Sequence, residues 1–416
     1  MPRLTPPRPG AFVARLVLLA LAAATASAET VPASSPVARG EYLARAANCL
    51  ACHQAEGGQP FAGGRPFRLP FGTLYSTNIT PDRETGIGRW RDEDFVRAMH
   101  QGKGPDGRRY YPAFPYTAYT LMPREDVLAI KAYLFSLAPV RQENRRNALR
   151  FPYNQRWGLA LWNLLFHRDR RYATDAGRSA EWNRGAYLVR GPGHCGECHT
   201  PRNWAQARRD AREMAGNTVQ GWHAWNISAD VEAGIGGWPD RALADYLATG
   251  VAEGYGVASG PMAEVVEHSL RHLAPGDIQA MVTYLKSVPA QPAAVHRENP
   301  PHRPGDPTAH GTPLGRRLFA GACADCHAWD GRGRQGAHTA LLGLRAVRDP
   351  QGTNLIRVLL DGGHLRKPGD PSHMPSFASA HGDHELAALA NFVLEHFGGV
   401  PGRLSAGDIA RARQAD

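Results

Sequence analysis

The sequence predicts a mainly α-helical protein built from three small domains in tandem. Three observations predict it. First, one spelling, Cys-x-x-Cys-His, occurs at Cys49–His53, Cys195–His199 and Cys323–His327 and uses all six cysteines of the 416 residues. Second, an opening segment returns ahead of each motif and a closing apolar helix follows it. Third, a loop carrying Asn-Ile-Thr or Asn-Ile-Ser, then Gly-Ile-Gly and Trp, recurs at identical spacing after the first two motifs. Self-similarity of this kind marks a repeat architecture.

The motif has a chemical reason. Two thiols three positions apart on one helical turn can each form a thioether to a haem vinyl group, and the adjacent histidine reaches the iron from the same side. A lone Cys-x-x-Cys is more often half of a zinc site or a redox dithiol. Here every pair is followed by His, and no further cysteine remains to complete a four-sulfur zinc site. Each domain is therefore read as a small helical cytochrome c fold around one covalently bound haem c, three haems and three irons in all. Cys49, Cys52, Cys195, Cys198, Cys323 and Cys326 are the attachment residues, and His53, His199 and His327 the first axial ligands.

Residues 1–28 read as a secretory signal: Arg3, Arg8 and Arg15 precede an apolar run from Leu16 to Ala24, and Ala26-Ser27-Ala28 offers a small-residue cleavage site. Haem is attached to such motifs outside the cytoplasm, so signal and motif agree on a periplasmic protein. The formal charge of +10 includes those three arginines, and the propionates of three haems would offset most of the remainder. It is weak support for nucleic-acid binding, and no nucleic-acid partner is expected. Beyond the leader, no apolar run reaches the ~20 residues that span a bilayer, so membrane attachment is expected to be peripheral, on the outer face of the inner membrane.

Domain one is placed at 35–137. Its opening helix carries Arg39-Gly40-Glu41-Tyr42-Leu43, and its closing helix follows Pro123 with Val127, Ile130, Tyr133 and Leu134 at helical spacing. Domain two, at 176–287, repeats these as Arg184-Gly185-Ala186-Tyr187-Leu188 and Ala280–Leu285. Domain three, at 309–398, gives an abbreviated version, Gly315–Phe319 and Leu386–Phe397. A glycine on the first helix lets the closing helix approach, and an aromatic on the closing helix fills the crossing. A Pro-rich linker at 288–308 should be extended and semi-rigid, and the tail at 399–416 is expected to be polar and loose.

In the second repeat, Asn78-Ile79-Thr80 leads to Gly86-Ile87-Gly88 and Trp90, and Asn226-Ile227-Ser228 to Gly234-Ile235-Gly236 and Trp238. Asp82, Glu84, Asp230 and Glu232 lie between. They are read as turn-forming carboxylates rather than a calcium loop, because no complete ligand set is legible. The connector at 138–175 has a different character. Trp157, Leu161, Trp162, Leu164, Leu165 and Phe166 lie between Arg156 and Arg168, Arg170 and Arg171, as in an interfacial helix, a connector packed on its own domains, or a face covered by a partner subunit.

The far side of each iron is expected to take a methionine sulfur, which raises the potential. Met374, in Met374-Pro375, lies 51 residues after Cys323, and Met262 lies 67 after Cys195. The corresponding place in domain one is Phe114, which cannot ligate iron. Met122 is then the candidate, or the first haem is five-coordinate or weakly ligated. For the histidine of domain two, Pro201 is near enough in sequence to offer the carbonyl that orients the ring.

These motifs, together with Tyr111–Tyr116, Glu181-Trp182-Asn183-Arg184-Gly185, Cys198-His199-Thr200-Pro201-Arg202-Asn203 and Ser259-Gly260-Pro261-Met262-Ala263-Glu264, strongly resemble the triple-haem cytochrome c subunits of bacterial membrane-bound dehydrogenases. That group serves alcohol, gluconate, sorbitol, fructose and aldehyde oxidation. The resemblance covers essentially the whole chain after the leader. It implies an electron-transfer subunit with no catalytic residues of its own. Such a subunit takes electrons from a catalytic partner bearing a flavin, quinone or molybdenum cofactor and passes them to ubiquinone or another respiratory acceptor. Alcohol-oxidising members commonly have methionine where Phe114 stands, and chains with phenylalanine there are similar to cytochromes paired with molybdenum hydroxylases. The alternatives are a free-standing, peroxidase-like haem enzyme using an open first haem, and a cytochrome subunit of a respiratory oxidase.

Overall fold

A computed structural model describes residues 35–292, 313–334, 336–363, 365 and 374–414. The leader and all but the start of the Pro-rich linker lie outside the described residues.

In the first unit, Ser35 caps α1 (Pro36–Ala46) through its hydroxyl and Pro36 opens the first turn. The short α2 (Cys49–Cys52) carries the motif cysteines. A hairpin of β1 (Pro66–Leu69) and β2 (Gly72–Tyr75) leads to α3 (Asp92–Gln101), α4 (Tyr116–Tyr119) and the closing α5 (Arg124–Ser136). The connector adds β3 (Ala148–Leu149), which pairs antiparallel with β2, and α6 (Gly158–Phe166).

The second unit repeats this order. It comprises α7 (Ala180–Arg190), α8 (Gly196–His199), the hairpin β4 (Asn217–Val219) and β5 (Trp222–Ala224), and α9 (Asp240–Thr249). The small hairpin β6 (Val251–Ala252) and β7 (Gly256–Val257), α10 (Gly260–His268) and the closing α11 (Pro275–Leu285) complete it. The third unit has α12 (Pro313–Ala322), α13 (Ala324–His327), α14 (Arg345–Arg348), α15 (Thr353–Asp361) and α16 (Asp383–His396), followed by α17 (Ala406–Gln414). The fold is mainly α, as predicted. The tail, expected to be polar and loose, instead forms α17, whose Ile409 is buried and which packs on α16.

The opening and closing helices cross at the glycine in all three units. A Cβ on Gly40 would fall 1.8 Å from the carbonyl oxygen of Ala129, one on Gly185 would fall 1.8 Å from that of Ala280, and one on Gly315 would fall 2.2 Å from that of Ala388. No other residue permits this approach. Tyr133, Tyr284 and Phe392 sit beside the crossings, their own Cβ atoms 3.0, 3.0 and 2.9 Å from where those added carbons would lie. The sequence repeat is thus a repeated helix crossing.

The packing is less modular than three tandem domains suggest. One hydrophobic core runs without a break from Leu43 through Met99, Val127, Ile130, Leu188 and Met281 to Val288, so the first two units share it. The third unit has its own core around Phe319, Leu359, Leu386 and Phe397.

Two reciprocal contacts join the first two units. Arg39 and Asp126 pair across the first crossing, with Nε donating at 2.8 Å, and Arg184 and Asp277 pair across the second, also at 2.8 Å. Tyr42 of the first unit donates to Asp277, and Tyr187 of the second donates to Asp126. Each unit thus gives a phenol to the other unit's aspartate, as in an isologous dimer interface. The third unit docks differently. The main chain of His223 on β5 exchanges hydrogen bonds with the amide of Asn354 at 2.7 and 3.0 Å, and Arg345 donates to the carbonyls of Asn226 and Gly234. Burial lowers the pKa of the Arg345 guanidinium to about 10.

Candidate functional site

Each motif forms one short helical turn, which sets its two cysteines on the same side and brings the histidine to the end of that turn. None of the six cysteines is in a disulfide. Burial pushes Cys49 and Cys195 up to about 12 and Cys198 and Cys323 up to about 11. Thioether formation would remove this titration altogether.

The three histidines are held alike. His53 Nδ1 lies 2.6 Å from the carbonyl of Thr77, His199 Nδ1 2.6 Å from that of Trp225, and His327 Nδ1 2.7 Å from that of Thr339. Burial lowers all three pKa values, and the carbonyl contact offsets only part of that. The rings are therefore neutral at neutral pH, with Nδ1 spent on a carbonyl and Nε2 left as the nitrogen for a metal. This donor set fits haem c: paired thiols on one turn, a neutral oriented imidazole, and an enclosing apolar core.

The carbonyl expected from Pro201 comes from Trp225 instead. Pro201 is close in sequence, but its oxygen accepts from the backbone N–H of Arg209 at 2.8 Å. Thr77 and Trp225 are each the residue immediately before the repeated Asn78 and Asn226. Those asparagines fix the loop: Asn78 Oδ1 accepts from the Thr80 N–H at 2.9 Å and hydroxyl at 2.7 Å, and Asn226 Oδ1 accepts from the equivalent groups of Ser228 at 2.9 and 2.7 Å. Their amides donate to Val140 and Gln291. The Asn-Ile-Thr/Ser repeat therefore holds the carbonyl that orients the motif histidine. Its identical spacing in the two units was the sequence signal for that role.

Of the acidic residues between, Asp82 and Asp230 are turn formers. One Asp82 oxygen accepts from the backbone N–H groups of Glu84 and Thr85, and one Asp230 oxygen accepts from those of Glu232 and Ala233. Among the described residues no cluster of three or more His, Cys, Asp or Glu could hold a metal ion.

The first two motifs meet across the shared core. Tyr119, fully enclosed, donates to the carbonyl of Ala47 at 3.0 Å, two residues before Cys49, while its ring lies edge-on to His194, 5.6 Å between centroids and adjacent to Cys195. Thr117 donates at 2.9 Å to Glu197, which lies between Cys195 and Cys198. Glu197 is also paired with Arg202 at 2.8 Å and Arg208 at 3.4 Å; burial would raise its carboxyl, but the arginines outweigh it and hold the group below the usual range. In the other direction, Arg65 donates to the carbonyl of Ala51, between Cys49 and Cys52, at 2.6 Å and pairs with Glu264 on α10 at 2.8 Å.

The methionines divide. Met262, at the start of α10, and Met374 are partly buried at the edge of their cores. Met122 is wholly enclosed in the shared core, and its carbonyl accepts from His100 Nε2 at 3.0 Å. Phe114 is partly buried against Tyr110, Tyr116 and Tyr119.

Helix crossings closed by glycine, with a Cys-x-x-Cys-His turn and a carbonyl-held histidine beside them, define a c-type cytochrome. The cytochrome c family profile matches residues 37–138 and 313–396. The chain is 36% identical to the fructose dehydrogenase cytochrome subunit of Gluconobacter japonicus, over 98% of this chain and 90% of that one. It is 37% identical to the gluconate 2-dehydrogenase cytochrome c subunit of Pantoea cypripedii, over 91% and 89%. It is also 41% identical to a nicotinate dehydrogenase subunit of Pseudomonas putida over 93% of this chain, which spans 33% of that longer protein. The chain belongs to the family of cytochrome c subunits of membrane-bound dehydrogenases. Within that family it is an electron-transfer subunit, not a catalytic one.

Proposed function

We propose that the chain carries three covalent haem c groups and relays electrons from a dehydrogenase catalytic subunit to ubiquinone or another respiratory acceptor, at the periplasmic face of the inner membrane. The six motif cysteines would hold the haems. His53, His199 and His327 would be the proximal ligands, Met262 and Met374 the distal ones, and Met122 the distal sulfur of the first haem. When bound, the haem irons supply one-electron chemistry. The protein's own part is to hold the attachment turns together and to keep water away from them.

One observation carries this reading: the segments between the paired cysteines of the first two motifs are each bonded to the other unit, Glu197 to Thr117 and Ala51 through Arg65 to Glu264. Such cross-bonding suits a relay rather than three independent sites. The fructose and gluconate dehydrogenase relatives support a catalytic partner of the same kind, and the nicotinate dehydrogenase relative adds N-heterocycles to the substrates worth assaying.

The test is to purify the native protein from gently solubilised membranes, count its haems by mass, and identify what accompanies it. Dye-reduction assays on alcohols, aldehydes, sugar acids and N-heterocycles would accompany the purification. A large flavin, quinone or molybdenum subunit and three haems are expected. A copper- and haem-containing oxidase core in its place would overturn the dehydrogenase assignment. A solitary protein that turns over peroxide at its first haem would support the free-standing enzyme instead.

A further inference from the structure

The connector helix α6 is moored on one side and bare on the other. On its inner side Leu159 is buried, Trp162 donates through its indole to the carbonyl of Ala205 at 2.8 Å, and Asn163 accepts from the hydroxyl of Tyr116 at 2.6 Å. The segment leading in is equally fixed. Tyr111 donates to the carbonyl of Tyr153 at 2.7 Å, and Tyr153 stacks on Phe71 with centroids 4.3 Å apart. Both neighbouring units therefore hold this helix in one orientation.

The outer side is apolar. Trp157, Ala160, Leu161, Leu164 and Leu165 recur at the spacing of one helix face, and all are exposed, Leu164 to 80% and Trp157 to 75%. Phe151 and Tyr153, in the segment leading into the helix, are exposed as well. Trp204, 91% exposed, is next in sequence to the Ala205 anchor. Seven of the eleven exposed large hydrophobic residues among those described lie on this helix, in the segment leading into it or next to its Ala205 anchor, so this is not the scattered exposure normal for a surface.

Charge selects the occupant. From Asn144 to Arg168 there is no aspartate or glutamate, and there are five arginines, of which Arg145, Arg146, Arg150 and Arg168 are exposed. A bare stripe of leucine and tryptophan in an acid-free, arginine-rich segment is complementary to an anionic surface with an apolar layer beneath it. Among the described residues no helix is long and apolar enough to cross a membrane. We infer that α6 lies flat in the headgroup region of an anionic bilayer, burying Trp157, Leu161, Leu164, Leu165 and Trp204 among the acyl chains with the arginines on phosphates. This rests on the proposed peripheral attachment and names the surface that makes it.

The experiment uses the haem-loaded protein and co-sedimentation with vesicles of phosphatidylcholine, with and without phosphatidylglycerol. The parent should pellet with the anionic vesicles and much less with the neutral ones. Leu161→Glu with Leu165→Glu should weaken that partitioning by about tenfold or more, since each removes apolar area from the bilayer and adds a repelled charge. Arg150→Gln with Arg168→Gln, which leaves the apolar face intact, should weaken binding to anionic vesicles alone. Unchanged haem absorption and melting temperature control for folding. Reduction of the haems by the purified catalytic subunit in detergent should be the same for all variants, so a failure of electron transfer is told apart from a failure of docking. Failure of the parent to pellet, or equal pelleting by the leucine variant, would overturn the inference. Loss of the catalytic subunit from the leucine variant with vesicle binding intact would overturn it too, by assigning the face to protein.

Discussion

Tyr42 and Tyr187 hold equivalent places on two opening helices, and each donates its phenol to the aspartate that already pairs with the other helix's arginine. Tyr42 serves Asp277 beside Arg184, and Tyr187 serves Asp126 beside Arg39. These residues form a polar seam between the two opening helices and the closing helices of the other unit. A buried carboxylate deprived of a donor keeps its desolvation cost. Tyr42→Phe should therefore destabilise the protein by about 1–3 kcal/mol, and Tyr187→Phe by a similar amount, read from denaturant unfolding of the haem-loaded protein.

The same seam gives a pH dependence. Burial pushes the Asp277 carboxyl up, but the hydrogen bonds from Arg184 and Tyr42 outweigh it and hold the group below the usual carboxylate range. A group lowered on folding contributes stability that is fully present above its unfolded value, about 4, and is lost as pH falls through the native value. The stability gap between the parent and Asp277→Asn should be constant above about pH 5 and close below about pH 4. Unfolding midpoints across that range check it, and a gap that persists undiminished at about pH 3 would sink it.

Gly185→Ala drives a methyl group into the carbonyl of Ala280, so α11 must move off α7. Overpacking a fixed core usually costs about 1–3 kcal/mol, and a backbone obstacle that cannot rotate away puts this change at about 3 kcal/mol or more. Lower haem incorporation and a lower melting temperature are expected. Gly276→Ala, whose added methyl meets nothing within 4 Å, is the control.

Glu197 places a carboxylate between the two cysteines of the second motif, paired with Arg202 and Arg208. Neutralising it as Glu197→Gln removes a negative charge from beside the attachment site and leaves both cations. The oxidised state, with one more positive charge, is then less favoured. The potential assigned to the second haem should rise in a spectroelectrochemical titration, and a fall would contradict the placement.

With Met122 as its proposed distal ligand, the first site is expected to be the weak one. Its side chain is wholly enclosed by the shared core, whereas Met262 and Met374 lie at the edges of theirs. Carbon monoxide should bind the ferrous protein at one haem, and Met122→Leu should speed that binding without touching the other two. Saturation of the parent at no haem would show a strong distal ligand at all three.

The sequence carried the parts whose partners are local. Motif turns, the glycine at each helix crossing and the aromatic beside it are set by spacing within a segment, and all three recur in the fold. Contacts fixed by topology were not legible. Tyr42 and Asp277 are 235 positions apart, and nothing in either segment announces the other. The histidine carbonyl was sought at Pro201 because that residue is near in sequence, but the hairpin of β4 and β5 carries the chain away and returns it at Trp225. The common core of the first two units was hidden for the same reason, since each closing helix alone shows only an ordinary apolar face.

An interface in which each half supplies what the other lacks is complete at two members. The third unit has Leu314, Arg317 and Glu385 where the first has Arg39, Tyr42 and Asp126, so it holds neither the phenol nor the pairing that would admit it. The third unit is therefore held by a different joint, in which one cation, Arg345, reaches carbonyls of a loop on the second unit. The molecule is a closed couple with one passenger, and the passenger's hold can be altered by mutation without loosening the couple.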